Sequence, residues 1–153
     1  MPTDGLPPPD SCNCLAVRQA ARHITQYYDQ FLAPVGLRTT QFSILAKLKR
    51  KGPLTINALA QDLVMDRTTL GRNILPLERE GLVAVAPGST DRRSKELTLT
   101  DSGAARLSAA FEGWAQAQAG FEAAFGSGRT SELRTLLHAA SATDLGAAPA
   151  EIS

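Results

Sequence analysis

LTINALAQDLVMDRTTLGRNILPLEREGLVAVAPGSTDRRSKELTLTDSG, residues 54–103, decides the fold of this 153-residue chain. Thr55 has the chemistry of an N-cap and opens a short helix through residue 63 that buries Leu59 and Leu63. Asp66 caps a second helix, which runs to residue 80 before Gly81; Leu70, Ile74 and Leu77 recur on one face at helical spacing. The period then changes. Residues 82–86 and 96–100 alternate and are rich in Val, Leu and Thr, as strands are. PGSTDRRS between them has the composition of a hairpin tip. Two helices joined by a tight turn and followed by a hairpin make a winged helix-turn-helix, whose second helix enters a DNA groove.

Outward from that segment the chain reads as helix. Residues 39–51 carry Phe42, Leu45 and Leu48 on an inner face, with Thr39 as the expected N-cap and Gly52-Pro53 as the stop. Residues 14–32 form an amphipathic helix with Val17, Ala20, Ala21, Ile24, Tyr27, Tyr28 and Phe31 at helical spacing, ended by Pro34 and Gly36. Thr100 or Asp101 caps a long helix that carries Leu107, Phe111, Trp114, Phe121 and Phe125. Gly126-Ser127-Gly128 breaks it, and residues 131–142 form a last helix with Leu133, Leu136 and Leu137 inside. The expected fold class is therefore mainly α with a small β wing: a winged helix-turn-helix with dimerisation helices at both ends. Its divisions are a disordered tail (1–11), an N-terminal dimerisation helix (12–34), the winged domain (37–100), C-terminal dimerisation helices (101–145) and a frayed tail (146–153). One small winged domain cannot cover the apolar faces of all three flanking helices, which points to a homodimer.

A net charge of +1 hides an asymmetry. Residues 38–95 hold 11 Lys and Arg against 5 Asp and Glu, and the remainder holds 5 against 10. A basic middle between acidic ends suits contact with phosphates. No apolar run approaches the roughly 20 residues of a membrane helix. MPTDGLPPPDS has neither the basic nor the apolar region of a secretory signal, so a cytoplasmic protein is expected. An enzyme is not expected, because there is no phosphate-binding Gly-rich loop, no G-x-S-x-G and no H-E-x-x-H. Cys12, Cys14, His23 and His138 lack metal-ligand spacing, and no cofactor is implied.

Several residues are placed to touch DNA. On the helix after Asp66, Thr68, Arg72 and Arg79 lie opposite the apolar face, Thr69 and Asn73 flank them, and Arg67 stands at its start. Arg72 can fork onto guanine and Asn73 can pair with adenine, or Arg72 can bind phosphate alone. Arg93 suits a narrow minor groove, with Asp91 two residues earlier able to pair with it and orient it. Arg92 and Lys95 suit phosphates, and Thr39, Thr40 and Gln41 open a helix whose free N–H groups can bind another.

DRTTLGRNILPLEREGLV (66–83) and DRRSKELTLTDSG (91–103) resemble the MarR family of winged helix-turn-helix regulators, and the likeness runs over residues 14–145. The second stretch resembles the family's wing signature through Asp91, Arg93, Leu97, Thr98 and Thr100-Asp101-Ser102-Gly103. The resemblance implies a DNA-binding repressor of pseudo-palindromic sites, released when a small aromatic acid or phenol binds between the dimer helices and the winged domain. Arg22, His23, Tyr27, Tyr28 and Phe42 are the candidate lining. NCLAVRQAARHITQYYD also resembles the first helix of the family's peroxide-sensing branch, with Cys14 at the reactive cysteine and Tyr28 at a tyrosine that assists it. Arg18 stands where that branch has another tyrosine. Cysteine-based redox sensing is thus one alternative, and a winged helix that binds protein rather than DNA is another.

Overall fold

The computed structural model describes residues 5–147. Its first unit, residues 1–118, contains the winged domain. Helix α1 (Asn13–Leu32) leads through a 3-10 turn (Ala33–Val35) to α2 (Thr39–Lys51). Strand β1 (Leu54–Thr55), α3 (Ile56–Asp62) and α4 (Arg67–Arg79) follow. Strands β2 (Val83–Pro87) and β3 (Lys95–Leu99) form the hairpin, and α5 begins at Asp101. The sheet is antiparallel in the order β1-β3-β2, with Leu54 opposite Leu97 and Val85 opposite the same residue on the other side.

The caps explain the boundaries. Thr55 Oγ1 accepts from Ala58 N–H, Asp66 Oδ1 from Thr69 N–H, and Thr100 Oγ1 from Gly103 N–H. At α2 the expectation shifts by one residue: Arg38 is the N-cap, and its N–H donates to Gln41 Oε1. Both hairpin strands also sit one residue away from their expected bounds. Pro76 leaves α4 unbroken despite its missing donor. The turn between α3 and α4 is tight because Val64 is left-handed, with φ 52°, an uncommon conformation for a β-branched residue.

Leu70, Ile74 and Leu77 of α4 face Leu45, Leu48, Leu59, Leu82 and Leu97 in one core, all buried. Sequence periodicity finds this face because burial follows it. A charged clamp supports the same packing from outside. Asp62 at the end of α3 accepts Lys51 Nζ at 2.8 Å and meets Lys47 Nζ at 3.1 Å, both on α2. The hydrogen bond from Lys51, then that from Lys47, holds the Asp62 carboxyl below its ordinary range against a smaller opposing effect of burial.

Two glycines set how closely helices approach. A Cβ on Gly103 would lie 2.0 Å from Leu82 O, and one on Gly113 would lie 2.4 Å from Phe31 O. Those contacts fix α5 against the start of the wing and against the end of α1. Tyr28 Oη also donates to Gln118 Oε1 across the α1–α5 contact.

The second unit, residues 119–153, holds the end of α5 (Asp101–Phe125) and α6 (Ser127–Ala142). Phe121 stacks on Phe125 at 5.4 Å, and the Arg129 guanidinium lies 4.2 Å from the Phe125 ring centre. Gly126 alone interrupts the helix, so α6 begins four residues earlier than the sequence suggests. Leu136 and Leu137, expected inside, are 61% and 41% exposed. In the first unit Phe111 is 60% and Val17 54% exposed. At the N-terminus, where a disordered tail is expected, Pro9–Ser11 form a 3-10 turn held by Ser11 on Pro8 O. Residues 1–4 of that tail and 148–153 of the expected frayed tail lie outside the described residues.

Gly103→Ala is expected to destabilise the protein by roughly 1–3 kcal/mol through forced overpacking. Gly71→Ala, with open space around it in α4, should stabilise it by up to about 1 kcal/mol. Thermal unfolding of the two variants checks the contrast. The Asp62 clamp adds a pH signature. Its carboxyl is depressed in the folded state, so its stabilisation is present above about pH 4 and is lost as pH falls through the lower folded value. Asp62→Asn should flatten that acid limb by less than about 1 kcal/mol in denaturant titrations at several pH values.

Candidate nucleic-acid interface

The wing tip is built from backbone bonds that its sequence makes possible. Asp91 Oδ1 accepts the N–H of Arg93 at 3.0 Å. Asp91 O accepts both the N–H and the hydroxyl of Ser94, and Ser94 O accepts from Gly88. A Cβ on Gly88 would meet Asp91 O and Ser94 Oγ at 2.5 Å each, so the turn closes around a residue without a side chain. Asp91 thus holds Arg93 through its backbone amide. The side-chain pair expected from the spacing is replaced by this turn, which leaves Arg93 exposed together with Arg92 and Lys95.

At the start of α4, Asp66 is fully engaged. Its two oxygens accept the hydroxyl and the N–H of Thr69. The hydroxyl bond, then the N–H bond, lowers the Asp66 carboxyl's pKa. Thr69 is therefore committed to the cap, and Asn73 Nδ2 donates to Thr69 O at 2.9 Å. Arg67, Thr68, Arg72 and Arg79 are exposed.

These two regions meet in one cleft of about 550 Å³. Arg67 and Thr68 form one wall, Arg93, Ser94 and Lys95 another, and Thr55, Ile56 and Asn57 the third. Three cations and no carboxylate line it. Sequence reasoning assigns Arg67, Thr68, Arg93 and Lys95 here but misses Thr55, Ile56, Asn57 and Ser94. The missing link is β1: two residues carry no periodic signal, yet their pairing with β3 brings the start of α3 beside the wing.

Other candidates fall elsewhere. Thr39 donates both its N–H and its hydroxyl to Asp29 Oδ1 of α1 at 2.7 Å, so a carboxylate already occupies the place considered for a phosphate. Gln41 is engaged with Arg38, and Thr40 beside it is half-buried. Among the candidates for an effector lining, Tyr27 packs edge-on against Tyr28 and Phe31, and buried Phe42 stacks on Trp114 at 5.9 Å. Tyr28 and Phe42 thus reach α5 one turn apart, at Gln118 and Trp114. Arg22 and His23 are exposed on α1. Cys12 is the N-cap of α1, its sulfur accepting from Leu15 N–H at 3.4 Å, and Cys14 is exposed in the first turn. Among the described residues no helix is long and apolar enough to cross a membrane.

Residues 37–95 match the model of the MarR family. The transcriptional regulator MosR of M. tuberculosis, solved in complex with DNA, is 39% identical with a TM-score of 0.74; the match covers 86% of this chain and 98% of that one. This chain belongs to the MarR family. It is a winged-helix, DNA-binding transcriptional regulator of that family, not an enzyme. The transcriptional repressor CouR, solved on a 23-mer DNA duplex, is 26% identical with a TM-score of 0.76, over 86% of this chain and 94% of that one. BadR of Rhodopseudomonas palustris, a transcriptional activatory protein, is 39% identical over 71 residues, 44% of this chain and 41% of that protein. The match therefore spans less than half of BadR's length.

Because Asp91 acts on the shape of the wing, Asp91→Ala should weaken DNA binding although it removes a negative charge beside a polyanion. Asp91→Asn keeps the acceptor and should bind more tightly than Asp91→Ala. Fluorescence anisotropy on a labelled duplex checks the order; tighter binding by Asp91→Ala than by the wild type would reduce Asp91 to its charge.

Proposed function

We propose that this MarR-family chain is a homodimeric repressor of pseudo-palindromic DNA. The observation that carries the reading is the carboxylate-free cleft with Arg67, Arg93 and Lys95 between the start of α4 and the wing. In this reading α4 of each protomer enters a major groove, the two helices about 34 Å apart, and each wing enters a flanking minor groove. Arg72 forks onto guanine, and Asn73 uses its remaining N–H and its carbonyl oxygen on adenine. Thr68 touches the base edges or a phosphate, Arg93 occupies the minor groove, and Arg92 and Lys95 bind phosphates. The homodimer is supported by the apolar side chains that each unit leaves exposed, Val17 and Phe111 in one and Leu136 and Leu137 in the other. CouR, a repressor by name, supports the sign of the regulation.

The proposed effector is a small aromatic acid or phenol, received near the stretch of α5 that Tyr28 and Phe42 reach together. An aromatic body against those rings with a polar tip toward Tyr28 fits their chemistry. Redox control is a second reading, favoured by two exposed thiols at the start of α1. Release from DNA by peroxide that disappears in Cys14→Ser would select it over the ligand.

Arg93→Ala is expected to lower affinity for DNA from upstream of the chain's own gene by at least about tenfold, with the dimer and its melting temperature unchanged. The slope of log affinity against log salt should also fall by about one if Arg93 neutralises a phosphate. Anisotropy titrations at several salt concentrations, with sedimentation for the dimer, make the test. Unchanged DNA binding in Arg93→Ala would remove the wing from the interface.

A further inference from the structure

In B-form DNA a major groove and the minor groove beside it are divided by a single sugar-phosphate strand. A recognition helix in the first and a wing in the second must straddle that strand. It therefore passes through whatever space the protein leaves between them. Here that space is the cleft between α4 and the wing, and its third wall belongs to α3. On that wall Ile56 is apolar and the Thr55 hydroxyl already accepts from Ala58 N–H. Asn57 is exposed, and its side-chain amide makes no hydrogen bond among the described residues.

We propose that Asn57 is a DNA-backbone contact: its Nδ2 donates to a non-bridging oxygen of the phosphate dividing the groove read by α4 from the groove entered by the wing. The inference rests on the DNA-binding reading above and adds to it one residue and one backbone position in each half-site. Arg67 and Lys95 supply the charge from the other walls. A neutral amide has a different task. It fixes the register of the strand without displacing a counterion, because it carries no charge to exchange. Its two N–H groups and planar carbonyl give it direction, which a flexible lysine at the same position would lack.

This division of labour separates Asn57 from its cationic neighbours in an experiment on the full chain. Two duplexes of equal length are used, one from upstream of the chain's own gene and one of scrambled sequence. Asn57→Ala should lose about tenfold in affinity on both, the loss of one hydrogen bond to a charged group. Its salt slope and melting temperature should match those of the wild type. Lys95→Ala, by contrast, should reduce the slope by about one. Methylphosphonate replacements, scanned one phosphate at a time, should reveal one position per half-site where the wild type weakens and Asn57→Ala weakens no further. Wild-type affinity in Asn57→Ala, a loss confined to the upstream duplex, or full additivity at every phosphate would each overturn the proposal. A wild-type chain that binds neither duplex would overturn the DNA-binding reading together with it.

Discussion

Leu54 pairs with Leu97 and Thr55 with Glu96, and the placement of the interface depends on this short ladder. Strand β3 lies between β1 and β2, so one strand carries both the wing and the anchor for the helix-turn-helix. Leu97 is fully buried beneath it, which fixes which face of β3 looks inward. From that register follow the position of α3, then the tight turn at Val64, then the start of α4 next to Arg93. A slip of one residue would turn Leu97 to solvent and carry Lys95 to the opposite face.

Charge is arranged around the same frame. Four of the five carboxylates in the basic middle of the chain are engaged by groups of the protein itself. Asp62 meets two lysines of α2, Asp66 caps α4, Asp91 holds the wing turn, and Glu80 lies 3.7 Å from Arg106. Each sits where it shapes an element, and none lines the cleft. Arg67, Arg93 and Lys95 come together in that cleft, which raises the local potential well beyond what a net charge of +1 suggests.

Most of the winged domain was legible because its signals are local. Asp66 and Thr55 are caps read from single residues, and Leu70, Ile74 and Leu77 repeat at a period that burial then obeys. What sequence could not show depended on contacts distant in the chain. Asp29 reaches Thr39 from another helix and occupies the site considered for a phosphate. Asn57 joins the interface only through the β1–β3 pairing. Leu136 and Leu137 have the spacing of buried residues yet are exposed, because periodicity marks a face that seeks cover and does not say what covers it. The side-chain pair expected between Asp91 and Arg93 gives way to a bond from the Arg93 backbone N–H to Asp91, within a turn closed by Gly88 and Ser94 that spacing alone does not reveal.

In each half-site of the proposed complex, α4 and the wing occupy neighbouring grooves of one duplex. Dimethyl sulfate footprinting of the wild-type chain on DNA from upstream of its own gene tests this placement, because the reagent methylates guanine N7 in the major groove and adenine N3 in the minor groove. Two patches of protected guanine N7 centred about one helical turn apart, each flanked by protected adenine N3, are expected. A single patch, or guanine protection with the flanking adenines fully methylated, would contradict it.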